Sequence, residues 1–339
     1  MTQRLRVTAV AVLAAGALTL AGCSGDATPP ASPDGDDGNL LSTVDTMFGE
    51  VEIPAPDDGE LTVVALGWSD AEMALALGVV PVAVFDWQGF GEQNKGVGPW
   101  ATVLIGDATP EIIQSGDESL NYEQIQALDP DLILNTRSGN DETEFERLSE
   151  IAPTVYGPEG AGAFATEWRD QLTLVGEAVG EADAAATLIS DVEGQISAAA
   201  DENPAFDGLT SASAAKFGDA YGAYLPGDGR FDLLAELGFV NNPAIDELDS
   251  NGFFASVSAE QVGALDADVA VILPIGFTLA ETEGDPLLAS LDVVADGRAV
   301  FIDPASELAG AWGASSVLSI PVVLDELVPQ LVAAADAVE

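Results

Sequence analysis

A nine-residue segment occurs twice in this chain, and its recurrence limits the possible folds more than any other feature of the sequence. Residues 123–131 read EQIQALDPD and residues 260–268 read EQVGALDAD, with six of nine positions identical. Each copy precedes an apolar run, a pattern that predicts a helix, a short turn and a buried strand. The segments LGVV at 77–80 and LGFV at 237–240 recur in the same order, and each predicts a helix that ends at glycine before a strand. We therefore predict two lobes of similar α/β build.

Short apolar runs that alternate with helical segments define the predicted fold class. Residues 61–66 and 79–85 are the first two such runs, and their continuous apolar character is typical of strands in a parallel sheet. The prediction is an α/β protein with two Rossmann-like lobes, each with a mainly parallel sheet flanked by helices. Between the first two runs, Ser69 followed by Glu72 predicts a capping box at the start of a helix.

A long helix is predicted between the two copies of the repeat. Apolar residues recur at spacings of three and four along 182–199, which gives one buried stripe. Twenty helical residues span roughly 30 Å, about one domain diameter, so the helix is expected to join the lobes. The predicted boundaries are 44–180 for the N-terminal lobe, 181–202 for the linking helix and 203–339 for the C-terminal lobe. Because a long helix resists bending, little lobe motion is expected.

The amino terminus has the features of a lipoprotein signal. Arg4 and Arg6 precede an apolar run at 7–20, and the small residues of Leu-Ala-Gly then lead directly to Cys23. We predict a signal peptide at 1–22, lipid attachment at Cys23 and a flexible tether at 23–43. The expected location is the extracytoplasmic face of the cell membrane, with the lipid as anchor. An ordinary secretory signal with an incidental cysteine stays open as the alternative.

The composition excludes several classes of function. The chain has 58 acidic residues, 9 basic residues, no histidine and one cysteine, which gives a net charge of −49. Such a charge is repelled by phosphate backbones, so no nucleic-acid partner is expected. A Ser-His-Asp triad and a histidine or cysteine metal site are impossible. We predict no catalytic residue and no metal ligand. Pairs of carboxylates arise by chance among so many acids and identify no enzyme.

Aromatic and basic side chains concentrate in the loops predicted to follow strands, where α/β proteins bind ligands. Four of the five tryptophans fall there, namely Trp68, Trp87, Trp100 and Trp312. So do four of the seven basic residues that follow Cys23, namely Lys95, Arg137, Lys216 and Arg230. Aromatic side chains suit a flat ligand, and arginine suits an anionic group. The loops therefore predict a cleft for a ligand of that kind.

The order of several short segments resembles a known family, the substrate-binding lipoproteins of iron–siderophore ABC importers. In that family, one long helix joins two Rossmann-like lobes. The resemblance spans about 44–331, and YEQIQALDPDLIL at 122–134 is its most specific part. The other segments are FGEVEIP at 48–54, VALGWSDAE at 64–72, LGVVPV at 77–82, LSEIAPTV at 148–155, GDGR at 227–230, residues 234–239 and SAEQ at 258–261. One departure is PDDGEL at 56–61, where the family often has a basic residue.

The resemblance implies a binding protein and not an enzyme. The implied ligand is a ferric siderophore held between the lobes, and the implied partner is an ABC permease in the membrane. A monomer without a cofactor is expected. The implied ligand-binding residues are Trp68, Trp87, Arg137, Lys216, Tyr221, Tyr224, Arg230 and Trp312. The lack of histidine fits, because a siderophore supplies the iron ligands itself, whereas receptors for bare zinc or manganese use histidine.

Two alternatives remain open from the sequence. The first is a binding lipoprotein for haem or a corrinoid, in which Tyr221 or Tyr224 would ligate the haem iron. The second is a cell-surface hydrolase that uses carboxylates or a metal ion, although the sequence contains no motif for one.

Overall fold

The computed structural model describes residues 39–57, 59–113 and 120–338. The predicted signal peptide at 1–22 and the predicted lipid attachment site Cys23 lie outside the described residues. Within the described ranges, every helix is too short or too polar to traverse a lipid bilayer.

Five parallel strands form the sheet of the N-terminal lobe, in the order β5-β4-β3-β6-β7. The strands are β3 (Val63–Ala65), β4 (Ala83–Phe85), β5 (Glu111–Ile113), β6 (Leu132–Asn135) and β7 (Thr154–Tyr156). Every residue of β3, β6 and β7 is buried, as expected for a parallel sheet covered on both faces. An antiparallel hairpin of β1 (Leu40–Thr46) and β2 (Gly49–Pro54) precedes the sheet, so the first residues of β1 overlap the end of the tether predicted at 23–43.

Seven strands form the sheet of the C-terminal lobe. They are β8 (Thr210–Phe217), β9 (Ala220–Tyr224), β10 (Val240–Asn241), β11 (Ser250–Asn251), β12 (Phe254–Val257), β13 (Val269–Ile275) and β14 (Ala299–Phe301). Strands β10, β8, β13 and β14 pair in parallel, as predicted, but β9, β12 and β11 add an antiparallel half. The two-residue turn Gly218-Asp219 reverses the chain, with Gly218 at a φ of +50°, and this hairpin makes the sheet mixed.

Twelve α-helices surround the two sheets in the described residues. They are α1 (Asp70–Ala76), α2 (Pro99–Ile105), α3 (Tyr122–Ala127), α4 (Glu142–Ser149), α5 (Trp168–Ala178), α6 (Ala182–Glu202), α7 (Gly229–Glu236), α8 (Pro243–Asp246), α9 (Leu279–Glu283), α10 (Asp292–Ala295), α11 (Glu307–Ala314) and α12 (Ile320–Ala335). One hydrophobic cluster includes Leu132 of the first sheet and Val271 of the second, together with Leu327 of α12. A continuous apolar core therefore joins the lobes.

The predicted long helix is α6, with 21 residues between the two sheets in the sequence. Ala185, Val192 and Ile196 of the predicted stripe are buried. Arg169 of α5 adds a polar link, because it forms ion pairs with Glu193 of α6 at 2.6 Å and with Glu236 of α7 at 2.9 Å. One guanidinium thus connects the N-terminal lobe, the long helix and the C-terminal lobe.

The repeated segment performs the same structural task in both lobes. Its last aspartate accepts a hydrogen bond from the residue that precedes or begins the neighbouring strand. Asp131 accepts from the N–H of Thr62 at 2.8 Å, and Asp268 accepts from the N–H and hydroxyl of Thr210 at 2.9 and 2.7 Å. The helix is α3 in the first copy but only a 3₁₀ turn at Val262–Leu265 in the second, where glycine lowers helix propensity.

The second recurrence also forms equivalent structures. Gly78 and Gly238 follow α1 and α7 with φ values of +81° and +107°. In each case the glycine N–H bonds back to the last turn, to the carbonyl of Leu75 or of Ala235. Left-handed backbone of this kind ends a helix and favours glycine, so the predicted helix ends are confirmed.

We predict that Asp268→Ala destabilises the protein more than Asp131→Ala. Each hydrogen bond to a carboxylate contributes about 1–2 kcal/mol, and Asp268 makes two such bonds to Thr210 whereas Asp131 makes one to Thr62. Urea denaturation measured at pH 7 checks the order, with the exposed Glu260→Ala as a control for loss of one charge. Equal midpoints for all three variants would contradict the assignment.

Candidate functional site

The N-terminal sheet reverses its order of strand addition between β3 and β6. From β3 the chain adds β4 and β5 on one side, and it then returns to add β6 and β7 on the other. Ligands of open α/β sheets bind at such a reversal, beyond the carboxyl ends of the strands. Trp68 follows β3 and Arg137 follows β6, so two of the predicted site residues lie at this point.

Asp70, the first residue of α1, is a buried carboxylate that fixes both strand ends. It accepts hydrogen bonds from the backbone N–H groups of Gly67 and Thr136, each at 2.9 Å. The hydroxyl of Thr136 and Nε2 of Gln171 also donate to it, the latter at 2.7 Å. Burial raises the pKa of Asp70, while these hydrogen bonds favour the charged form. A side chain at Gly67 would collide with the carboxylate, which is why this position needs glycine.

The predicted capping box of Ser69 and Glu72 is wrong, because both side chains bond across to the C-terminal lobe. Ser69 has a φ of +65° and its hydroxyl donates to the carbonyl of Ala314 at 2.9 Å. Glu72 accepts from Nε1 of Trp100 at 2.8 Å and from the hydroxyl of Ser316. Burial raises the pKa of Glu72, and these hydrogen bonds oppose the shift.

Three aromatic rings form a stack at the carboxyl edge of the N-terminal sheet. The rings of Trp68 and Trp87 are 4.3 Å apart and within 8° of parallel. The ring of Phe164 lies 4.4 Å from that of Trp68, at 29°. Phe164 is absent from the predicted set, although it is the one aromatic residue in the Gly- and Ala-rich segment 157–165 after β7. A single aromatic residue in a glycine- and alanine-rich segment is the sequence signal that points to Phe164.

Arg137 is buried beside this stack and reaches the other lobe. Its Nε donates to the carbonyl of Phe164 and its Nη1 donates to the carbonyl of Ala314, each at 3.0 Å. Its guanidinium carbon lies 5.8 Å from the centre of the Trp68 ring. Burial lowers the pKa of Arg137 to about 10, while the charge of Asp228 opposes the shift. The side chain therefore remains a cation at neutral pH.

Arg230 lies in the first turn of α7 and is held by the residue that caps this helix. Asp228 accepts from the Nε and Nη2 of Arg230, each at 2.7 Å. The guanidinium lies over the ring of Tyr224, 3.5 Å from its centre. Burial opposes ionisation of Asp228, but the positive charge of Arg230 holds the pKa of this carboxyl below its usual range.

Lys216 forms a second basic and aromatic group at the end of β8. Its Nζ lies 3.2 Å from a carboxylate oxygen of Asp285 and 4.4 Å from the centre of the Tyr221 ring. The ring of Phe277 is the next nearest, at 5.0 Å. The hydroxyl of Tyr221 donates to the same carboxylate at 2.8 Å. Burial and this hydrogen bond raise the pKa of Tyr221 to about 12.

Tyr221 and Tyr224 lie within strand β9 and not in a loop, contrary to the sequence prediction. The tight turn at Gly218 leads straight back into a strand, which the glycine-rich sequence did not reveal. Residues three apart on a strand point to opposite faces of the sheet. Tyr221 packs in the buried cluster that contains Ala212, whereas Tyr224 lies under Arg230. The predicted C-terminal residues therefore form two separate groups.

Trp312 and Trp100 lie in helices α11 and α2, and not in loops as predicted. Trp312 is 1% exposed and packs in the core that joins the lobes, so its ring is closed to a ligand in this conformation. Lys95, another base of the predicted loops, donates to the carbonyl of Gly106 in its own lobe.

Two cavities lie at the carboxyl edges of the sheets. The smaller, of about 190 Å³, borders the stack at Trp68, Phe164 and Arg137. The larger, of about 560 Å³, opens between the lobes and is within the size range of small-molecule sites. Polar and apolar residues outside the predicted set line it, among them Gln88, Phe90, Asn94, Pro274, Gly276 and Ser306. Among the described side chains, no three acids form a group able to hold a metal ion.

Residues 63–305 match the sequence profile of the family described as Periplasmic binding protein. The chain belongs to this family. The matched span runs from β3 to just beyond β14 and so includes both sheets. Members of this family are substrate-binding proteins, and open α/β sheets accommodate ligands beyond the carboxyl ends of their strands.

Three known proteins are similar to this chain in sequence or in structure. The probable siderophore-binding lipoprotein YfiY of Bacillus subtilis (strain 168) is 34% identical over 136 residues, which is 40% of this chain and 38% of YfiY. A periplasmic solute binding protein from Mycobacterium smegmatis superposes with a TM-score of 0.75 and 32% identity, covering 88% of this chain and 99% of the other. PiaA from Streptococcus pneumoniae TIGR4, in complex with ferrichrome, superposes with a TM-score of 0.72 and 26% sequence identity, covering 88% of this chain and 99% of PiaA. The predicted α/β fold and family resemblance are confirmed.

The environment of Asp232 leads us to expect a specific pH dependence of stability. Its carboxylate lies on α7, accepts from the N–H of Gly227 at 3.1 Å and borders a small cavity with Arg137 and Glu167. Burial, followed by the negative charges of Glu167 and Asp228, raises the pKa of Asp232 to about 6. Because its pKa is raised, Asp232 binds a proton more tightly in the folded state than in the unfolded state. Its contribution to stability is therefore full below the unfolded pKa, near 3.8, and is lost as pH rises through 6.

We therefore predict that Asp232→Asn stabilises the protein at pH 7.5 but not at pH 4. The expected gain is about 1–2 kcal/mol, less than the full pKa shift implies, because the carboxylate is partly exposed to screening solvent. Thermal unfolding at both pH values measures it, with Asp191→Asn on the exposed face of α6 as the control. A gain of the same size at both pH values would refute the assignment to ionised Asp232.

Proposed function

We propose that this chain is the extracytoplasmic substrate-binding component of an ABC importer, and that it captures a ferric siderophore between its lobes. The observation that carries the proposal is the concentration of aromatic and cationic side chains at the carboxyl edges of both sheets. Trp68, Trp87 and Arg137 lie at one edge, and Lys216 with Tyr221 lies at the end of β8 in the other lobe. Sequence similarity to YfiY and structural similarity to ferrichrome-bound PiaA support the same ligand class.

Haem is less compatible with the tyrosines of the site. Tyrosine binds haem iron as a phenolate, which requires loss of the hydroxyl proton. Burial and Asp285 raise the pKa of Tyr221 to about 12, and burial raises the pKa of Tyr224. The Tyr221 hydroxyl is also occupied as a donor to Asp285. These features favour a ligand that brings its own iron-binding groups.

A hydrolase would need acids that can reach a substrate. The two buried carboxylates at the strand reversal, Asp70 and Glu72, are 0% and 3% exposed. Each is surrounded by donors from the protein itself, including Thr136 for Asp70 and Trp100 for Glu72. Such groups hold structure and are poorly placed for general acid or base catalysis, which supports a binding role without turnover.

The proposal includes delivery of the ferric siderophore, by a monomer, to an ABC permease in the membrane. We also propose that the lobes move little when the ligand binds. The contacts of Arg169 with Glu193 and Glu236 support this, because α5, α6 and α7 can move apart only if these ion pairs break. The hydrogen bonds from Ser69 and Arg137 to Ala314 oppose the same motion.

The binding proposal predicts quenching of tryptophan fluorescence when the protein is titrated with ferric siderophores. A saturable, one-to-one response is expected, and Trp68→Phe should weaken binding about threefold to tenfold because it removes part of a stacked aromatic surface. Trp168→Phe is the matched control, since Trp168 is a buried tryptophan of α5 that packs in the core. Absence of any response to catecholate, hydroxamate and citrate complexes of iron would refute the proposal.

The anchor at Cys23 is a separate part of the proposal. Residues 1–23 have the order of a lipoprotein signal, and YfiY is described as a lipoprotein. We expect Cys23→Ser to move the protein from the detergent phase to the aqueous phase of a Triton X-114 partition, because it loses its acyl chains. Mass spectrometry of the amino-terminal peptide identifies the modification. Ser24→Ala is the control, and a Cys23→Ser protein still found in the detergent phase would contradict the assignment.

A further inference from the structure

Both faces of the Trp68 ring are covered by the protein's own aromatic rings. Trp87 and Phe164 each lie within 4.4 Å of Trp68, at interplanar angles of 8° and 29°. If both rings lay on the same face of Trp68 at these distances and angles, they would overlap each other. They therefore lie on opposite faces of the Trp68 ring. A ligand can therefore stack on Trp68 only where one of these two rings leaves its place.

Phe164 is the ring that the backbone holds under strain. Its φ is +58°, a region that bulky side chains rarely adopt, and such strain tends to occur where a segment must move or clamp. The segment 157–165 has glycines at 157, 160 and 162 and alanines at 161, 163 and 165. Small residues leave this segment with few side-chain contacts beyond the Phe164 ring itself.

Hydrogen bonds hold the backbone of the Phe164 segment, so displacement concerns the ring and not the chain. The N–H of Phe164 donates to the carbonyl of Ser138 at 2.7 Å, and its carbonyl accepts from Arg137. Asn140 donates to the carbonyl of Ala161 at 3.0 Å. Trp87 follows β4 after a single residue, and its N–H donates to the carbonyl of Phe85 at 3.0 Å. Of the two residues that stack on Trp68, only Phe164 has a positive φ, so its ring is the one that we expect a ligand to displace.

Resting on the proposed function, we propose that Phe164 is a gate that fills a ring-binding slot on Trp68 and is displaced by a flat aromatic ring of the siderophore. A catecholate ring has the shape and π-face that the Phe164 ring now presents to Trp68. Arg137, 5.8 Å from the centre of Trp68, places a positive charge beside the slot, which suits the anionic oxygens of a catecholate. Phe164 is a specificity-determining residue in this arrangement. Its ring leaves the slot when the ligand ring enters, so it adds no contact to the bound ligand.

The experiment compares Phe164→Ala with the wild type and with Phe145→Ala. Phe145 stacks on Phe48 at 4.7 Å and 22°, in a separate aromatic group with Tyr156, so it is a matched loss of one stacked ring. Calorimetric titrations use the ferric complex of 2,3-dihydroxybenzoylglycine, which carries aromatic rings, and ferric desferrioxamine B and ferric citrate, which carry none.

The expected result is that Phe164→Ala binds the ring-bearing complex about threefold to tenfold more tightly, because the displaced stacking contact no longer competes. The affinities of Phe164→Ala for the ringless complexes, and of Phe145→Ala for all three, should stay unchanged. Phe164→Leu keeps the bulk of the side chain without its ring, so its affinity for the ring-bearing complex should lie between those of the wild type and Phe164→Ala. It replaces Phe164→Ala if that variant does not fold.

Three outcomes would overturn the gate. Weaker or unchanged binding of the ring-bearing complex by Phe164→Ala would show that the ring contacts the ligand or is only structural. An equal gain for ringless complexes would show that the slot does not recognise rings. If the wild type binds none of the three complexes, the proposed function fails together with the gate, whereas either of the first two results rejects the gate alone.

Discussion

The carboxylate of Asp70 is the contact on which the N-terminal half of the site depends. It joins the end of β3, the end of β6 and α5 through Gly67, Thr136 and Gln171. Without these donors, burial of a charge there would be strongly unfavourable, so the carboxylate and its donors must form together. Trp68 and Arg137 each adjoin one of these backbone donors in the sequence, and their positions at the edge of the sheet follow from that geometry.

A second set of contacts holds this edge of the sheet against the C-terminal lobe. The carbonyl of Ala314, at the end of α11, accepts from the hydroxyl of Ser69 and from the guanidinium of Arg137. Glu72 bonds to Ser316 two residues later. The chain after α11 is thus fixed against the strand reversal of the other lobe, and the continuous apolar core through α12 packs beside it. The two carboxyl edges consequently face one another with a cavity between them.

The features that the sequence predicts well depend on neighbours in the chain. The glycines at 78 and 238 end helices through bonds to residues three positions earlier, and the long helix follows from spacing alone. The features that it predicts poorly depend on distant partners. Glu72 has the right spacing for a capping box, but its carboxylate accepts a hydrogen bond from Ser316, 244 residues away. Phe164 lies in the site with a positive φ, and the only local signal for it is the Gly- and Ala-rich composition of its segment.

The partners of the few basic residues determine how a strongly acidic protein would select an anionic ligand of the proposed kind. Each of the three predicted to bind ligand already has partners: Arg137 has two carbonyls, Arg230 has Asp228, and Lys216 has Asp285. A weak anion gains nothing by competing with a carboxylate that is already in place. Asp285 is itself held by hydrogen bonds from the N–H groups of Leu287 and Leu288, so an anion does not easily displace it from Lys216. On the proposed function, an anion would need further contacts, such as stacking on Trp68 beside Arg137, before it displaced these partners, and that requirement would discriminate against small anions.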